Sequence, residues 1–409
     1  MEVIYPRCCG VDVHKREVVA CVVSTGPDGT PSKTIQAFGT MTPDILALAD
    51  WLTTHEVTHV AMESTGVYWK PIWNLLEDQF ALLLVNARHV KAVPGRKTDI
   101  RDCEWLAELL RHGLLTGSFV PDRPQRELRE LTRYRTSLVR ERTAAANRLQ
   151  KTLEGANVKL ASVATDILGK SGREILAALV AGETDGAALA QLAQGRLREK
   201  IPQLERALVG CVGPHQRFLV AEQVAHIDFL DEAIARVSAE IAARVRPDED
   251  AVARLDTIPG IGRSVAEALM AEIGADLTRF PGPKHLASWA GLCPGNHESA
   301  GKRRGGATRK GSPWLRACLV QAAHAAARTK GTYLAAQYRR LAARRGRAKA
   351  AIAVAHSILI IVYHLLTDGT VYHDLGANYF DERDREAVEH RLVHRLQGLG
   401  YRVSLEPVA

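Results

Sequence analysis

Several things are missing from this sequence, and each absence narrows the reading. No two cysteines are spaced as C-x-x-C, and the seven present, at 8, 9, 21, 103, 211, 293 and 318, are odd in number. That argues against a disulfide framework or a zinc finger and points to a reducing cytoplasm. No Walker-type phosphate loop is present, so ATP hydrolysis is not expected to drive the chemistry. Residues 1–7 carry no basic stretch leading into an apolar core, so a secretory signal is not expected. Low-complexity tracts and fixed-period repeats are also lacking. Long apolar runs are absent except at 350–366, which holds His356 and His364 and follows an arginine-rich stretch. That run sits at the short limit for a membrane span, and we expect a buried helix in a soluble protein with no membrane contact.

What remains is an ordinary globular composition. The chain has 409 residues, 46% apolar and 24% charged, enough for roughly two or three domains with real cores. A net charge of +8 favours a polyanionic partner. The most telling stretch is Cys8-Cys9-Gly10-Val11-Asp12-Val13-His14-Lys15, an apolar strand with a carboxylate in its middle. A buried charge costs several kcal/mol unless a partner or a metal offsets it.

Along the chain, residues 8–13, 17–23 and 34–38 read as successive strands. A helix follows from Thr42-Pro43-Asp44 to Leu52, then a strand, 59–62, ending on Glu63. A Trp-rich helix over 67–76, a strand over 80–85 and a helix opened by 95–102 complete an α/β region. Residues 126–153 contain neither Pro nor Gly and carry a long amphipathic or coiled-coil stripe. Eight arginines between 123 and 148 face only three acids there. A second long helix, 216–246, is expected to pair with it. At 255–275 the turn Pro259-Gly260-Ile261-Gly262 before a helix resembles a helix-hairpin-helix, whose glycines would present backbone N–H groups to a phosphate. Helices over 313–328, 332–345 and 350–366 follow. The expected class is α/β plus all-α. The expected domains are 1–124, 125–250 (with an insertion at 155–215), 251–375 and a tail, 376–409.

Asp12 and Glu63 belong to two strands, and Asp99 and Asp102 lie three apart at a helix start, on one face. Taken singly, each has a plainer explanation: a salt bridge for Asp12, a strand end for Glu63, helix caps for the aspartates. Together they offer four carboxylates to Mg2+ or Mn2+, a set suited to phosphodiester cleavage.

The blocks Gly10-Val-Asp12-Val-His-Lys15, Met62-Glu63-Ser-Thr-Gly66-Val-Tyr68 and Arg96-Lys97-Thr-Asp99-Ile-Arg101-Asp102 resemble the motif blocks of the DEDD transposases. These are the Piv-like invertases and bridge-RNA-guided recombinases of bacterial insertion sequences. The blocks Ile258-Pro-Gly-Ile-Gly262 and Ala290-Gly-Leu-Cys-Pro294 resemble that family's C-terminal domain. The resemblance implies an RNase H-like (RuvC-like) nuclease domain with Asp12, Glu63, Asp99 and Asp102 as its metal-binding tetrad. It also implies a serine nucleophile that joins DNA covalently, in a site shared between subunits of a dimer or tetramer. Its partners would be target and donor DNA and a structured guide RNA, held by an element similar to the 126–150 helix.

The position matching that serine is Ser299, in a glycine-rich loop with five basic residues, Lys302, Arg303, Arg304, Arg309 and Lys310, and no acid after Glu298. Cations beside a hydroxyl stabilise charge developing on a transferred phosphoryl group. By composition alone the loop reads as a phosphate-contacting segment. Ala300 interrupts the family's Ser-Gly pair, so Thr308 and Ser312 stay as candidates. A further acid-free cluster, which includes Arg344 and Arg345, is expected to touch nucleic acid, as are Lys97, Arg101, Gly260 and Gly262. The function expected is strand cleavage and rejoining by an insertion-sequence recombinase. The alternatives are a RuvC-like junction-resolving nuclease and a non-catalytic nucleic-acid-binding protein.

Overall fold

The computed structural model describes residues 2–26, 30–86, 102–295, 297–299, 301–305, 308 and 310–406, with backbone alone for 297–299 and 302–305. The chain divides into two compact units, Met1–Asp122 and Arg123–Ala409.

In the first unit β1 (Arg7–Val13), β2 (Glu17–Thr25) and β3 (Pro31–Gly39) run antiparallel, while β4 (His59–Glu63) and β5 (Ala81–Val85) run parallel to β1. The sheet order is β3-β2-β1-β4-β5. The hairpin series places β1 at the centre, where alternate residues face opposite sides of the sheet. Cys9, Val11 and Val13 join Leu48 and Leu52 of α1 (Thr42–Thr54) and Ile72 and Leu76 of α2 (Trp69–Leu76) in one core. Cys8 joins Cys103, Leu106 and Leu110 of α3 (Asp102–Arg111) in the other. Helices therefore cover both faces, an architecture consistent with an RNase H-like domain. The part of the expected 95–112 helix that precedes Asp102 lies outside the described residues.

The second unit is helical apart from a two-stranded hairpin. Its long helices α4 (Arg123–Gly155) and α7 (Pro214–Val245) are antiparallel. Arg244 bonds Glu127 at 2.6 Å, Arg142 holds Asp231, and Gln223 donates to Thr152 at 3.0 Å. Between them in sequence, α5 (Lys170–Ala181) and α6 (Ile201–Leu208) pack Ile175, Leu176, Leu179 and Leu204 against Leu149 and Ile227. The expected insertion thus closes an apolar core on the helix pair.

The remaining helices are α8 (Glu249–Asp256), α9 (Arg263–Ile273), α10 (Pro283–Trp289), α11 (Pro313–Ala326), α12 (Tyr333–Arg345), α13 (Arg347–Asp368) and α14 (Arg385–Gly398). Among the described helices, α13 is the one long and apolar enough to cross a membrane. Its Val354, Ala355, Ile358, Leu359 and Val362 are all buried in the core around α9 and α11. By contrast, α14 buries no residue and leaves Leu392 and Leu396 exposed.

Two buried carboxylates on α9 grip α4. Glu267 receives Arg135 at 2.6 Å and Arg263 at 3.0 Å. Glu272 receives Arg133 through both oxygens, at 2.7 and 3.0 Å, and Arg129 bonds the carbonyls of Ala271 and Glu272. Burial pulls the Arg129 pKa down to about 10, still cationic at neutral pH. The arginine run of α4 is therefore partly a clamp, and only part of it faces solvent.

Removing one member of a buried pair leaves the other charge uncompensated, at a cost of about 3–5 kcal/mol. Glu267→Leu, which strands Arg135, should lower the unfolding free energy by about 3 kcal/mol in urea titration. Burial also pushes the Cys8 and Cys318 thiols from 9.0 up to about 12. Below pH 9 folded and unfolded chains hold these protons equally. As pH rises from about 9 toward 12 the unfolded chain releases them first, so stability should fall across that window in pH-dependent thermal melts.

Candidate functional site

The first cluster of chemistry-bearing residues is built by one close approach. A Cβ at Gly10 would lie 2.2 Å from the Cys103 carbonyl oxygen and 2.4 Å from the Ala107 nitrogen. Only glycine lets α3 rest directly on β1. Asp12 follows Gly10 by two residues and so faces the same side. Val11 pairs with Met62, and the next step in that parallel register sets Glu63 beside Asp12 on the α3 face. Asp102 opens α3. Three carboxylates thus belong to one face, at the carboxyl ends of β1 and β4, the usual place for a site in parallel sheet.

Asp12 is 15% exposed, and its Oδ2 lies 2.9 Å from Nε2 of His14. Its charge reaches Cys103, the second residue of α3. The Cys21 thiol, paired across the sheet with Gly10, hydrogen-bonds Cys103, and that bond together with burial keeps Cys21 protonated. Glu63 is half-buried and ends β4, where the Ser64 amide donates to the Val85 carbonyl at 2.9 Å. Asp99, Lys97 and Arg101 lie outside the described residues. The donors are hard carboxylate oxygens, the chemistry Mg2+ or Mn2+ takes. Among the described residues no three His, Cys, Asp or Glu side chains close around a common point.

The second cluster is in the helical unit. β6 (His297–Ser299) and β7 (Lys302–Gly305) form a hairpin in which Ser299 pairs with Lys302 beside the turn at Gly301, φ 72°. Ser299 therefore sits at the hairpin tip. The root is held by a bridge between Pro294 and Thr308, and the Thr308 hydroxyl accepts from Arg316 at 2.8 Å. Ser312 caps α11 by accepting the Leu315 amide and donates to Glu272 at 3.2 Å. The other two candidate hydroxyls are thus engaged in anchoring the loop. Side chains of Lys302, Arg303 and Arg304 are not described, Arg309 lies outside the described residues, and Lys310 is exposed.

Gly260, φ 89°, packs against α11, where a Cβ would meet the Ala322 carbonyl oxygen at 2.4 Å. Close helix packing and a left-handed backbone account for that glycine. Gly262 is exposed and begins α9. Arg344 and Arg345 end α12, and with Arg339, Arg347 and Lys349 they are exposed with no ion-pair partner among the described residues. Gly10 and His14 carry more of the first site than their place in a motif block announces. Their signal was a residue without a side chain two before Asp12 and an imidazole two after it. Glu272, hidden in an apolar helix, gave none.

Comparison with known proteins bears on both clusters. Residues 9–158 match a family model described as a transposase, and residues 252–339 match the model of the IS116/IS110/IS902 transposase family. A "probable family 20 transposase" of Pseudomonas aeruginosa is 30% identical over 321 residues, which is 76% of this chain and 85% of that protein. The chain belongs to the IS116/IS110/IS902 family of transposases. A putative transposase of Sinorhizobium fredii, y4pF/y4sB, is 28% identical over 77% of the chain and 74% of its own length. The IS116 uncharacterised 44.8 kDa protein of Streptomyces clavuligerus is 29% identical over 55% of the chain and 62% of its own length. In this IS110-type transposase the first match covers the Asp12, Glu63 and Asp102 face, and the second covers the serine hairpin.

Gly10→Ala tests how the first site is built. The added methyl meets backbone, so α3 must shift, at a cost of about 1–3 kcal/mol. Urea unfolding should report that loss, and Cys103, 1% exposed in the native chain, should react with a thiol reagent markedly faster in the variant.

Proposed function

We propose that this IS110-family transposase cuts and rejoins DNA strands through two groups of side chains. Asp12, Glu63, Asp99 and Asp102 would hold divalent cations, and Ser299 would be the nucleophile. The observation that carries the reading is the convergence of Asp12, Glu63 and the start of α3 on one sheet face, fixed by Gly10.

Magnesium, when bound, supplies positive charge to the scissile phosphate and to the departing oxygen. The carboxylates hold that charge on the α3 face, and His14 holds the Asp12 carboxylate in place. Ser299 Oγ attacks phosphorus; an O–P bond forms as the bond to the departing sugar oxygen breaks. The serine loses a proton and the departing oxygen gains one. The strand end is kept as a phosphoserine ester, so rejoining needs no nucleotide hydrolysis. The basic residues of the loop, Lys302 to Lys310, screen the phosphate, and Arg344 and Arg345 contact the backbone of the bound nucleic acid. Thr308 and Ser312 stay with the loop root. A site drawing on two groups of side chains is compatible with action as a dimer or tetramer, and a structured RNA would choose target and donor by base pairing.

Trapping decides among these roles. Wild type with DNA carrying the element's ends, its flanking RNA and Mg2+ should give a covalent protein–DNA adduct, and Ser299→Ala should give none. Asp12→Asn should depress adduct formation by several orders of magnitude. An adduct that persists in Ser299→Ala would remove Ser299 from this role. Cleavage without any adduct would favour a water-using nuclease.

A further inference from the structure

The arginines of α4 sort into two kinds. Arg129, Arg133, Arg135 and Arg142 are bound to carboxylates or carbonyls of other helices. Arg140 is exposed, has no ion-pair partner among the described residues, and lies over the ring of Trp314 at 5.2 Å. Arg133 reaches the same ring at 5.8 Å while bound to Glu272. Behind this stack is a cavity of about 260 Å3 between α4, α7, α9 and α11. Its polar lining includes Arg133, Arg135 and Arg140 against one carboxylate, Glu272, whose oxygens are already taken by Arg133 and Ser312. Arg135 is in turn held by Glu267, so the charge left over at the lining is that of Arg140, beside a flat indole at the rim.

A flat ring with an exposed cation beside it, opening on a small cavity, suits a ligand that is itself a flat ring carrying an anion. We propose that this cavity takes one unpaired nucleotide of a bound nucleic-acid strand. The phosphate pairs with Arg140 and the base stacks on Trp314, with its edge toward Ser238 and Gln321. The volume is below the roughly 300–1,000 Å3 of drug-sized pockets, which suits a single base. Stacking on an aromatic side chain contributes about tenfold or more per base and tolerates any sequence, because every base has a π face. Arg140 leaves its cation–π contact for a phosphate at little cost, since the contact is exposed. The proposal rests on the chain acting on nucleic acid and is independent of which residue is the nucleophile.

The test uses the full chain and single-stranded 20-mers of DNA and of RNA in which thymine or uracil is replaced by its photoreactive 5-iodo analogue. Irradiation should attach the base to the peptide holding Trp314. Arg140→Ala and Trp314→Leu should each weaken binding by about tenfold in fluorescence anisotropy. Arg148→Ala, which removes another exposed charge with no ion-pair partner among the described residues from α4 outside the cavity, should weaken it far less. Arg140 is exposed, so its variant reads binding even where the tryptophan variant fails to fold. The arm that crosslinks, DNA or RNA, names the source of the nucleotide. Tight binding with crosslinks only elsewhere and a wild-type affinity for Arg140→Ala would overturn the cavity while leaving the transposase reading intact. No binding of either strand at all would overturn the cavity too, and adduct trapping on duplex element ends would then decide that reading separately.

Discussion

The seating of α3 on the sheet of the first unit depends on the contact between Gly10 and the backbone of that helix. A side chain there would collide with the Cys103 carbonyl and the Ala107 amide, and the helix would have to rise off the sheet. Asp12 and Glu63 are fixed by strand register, so their mutual placement is insensitive to such a shift. Asp102 travels with the helix. The placement of Asp102 relative to the two strand carboxylates therefore depends on one missing methyl group, with Cys21 and Cys103 packed beside it as the apolar floor.

The second unit relies on a different device, charge buried in pairs. Glu267 and Glu272 lie in a stretch of helix, Val265 to Ile273, that is otherwise apolar, and each would be strongly unfavourable alone. Paired with arginines of α4 they join that helix to the C-terminal core with defined geometry, since bidentate contacts fix orientation as well as distance. Glu272 also receives Ser312, so one carboxylate anchors both the long helix and the end of the serine loop.

Much of the fold was legible because its signals are local. Proline at Pro43, the apolar runs at 8–13 and 17–23, and the unbroken 126–153 run mark elements that the structure places within a few residues. Asp12, Glu63 and Asp102, which share one sheet face, stood out in the sequence as members of motif blocks, and Asp12 also as a charge among apolar neighbours. What could not be read was non-local. Nothing in the arginine spacing of α4 separates Arg135, which meets a buried glutamate, from Arg140, which meets a tryptophan 174 positions later in the chain. Gly260 read as a phosphate nest, yet its neighbours are the backbone atoms of a helix more than sixty residues on.

The serine hairpin leaves and re-enters the core at nearly one point. Gly311 lies against Ala290, where a Cβ would sit 2.4 Å from the carbonyl, and Pro294 pairs with Thr308. An excursion closed at its root transmits little to what lies below it, and lengthening a loop adds only slowly to its closure entropy. Such a loop can gain or lose residues across a lineage while the helices beneath keep their packing.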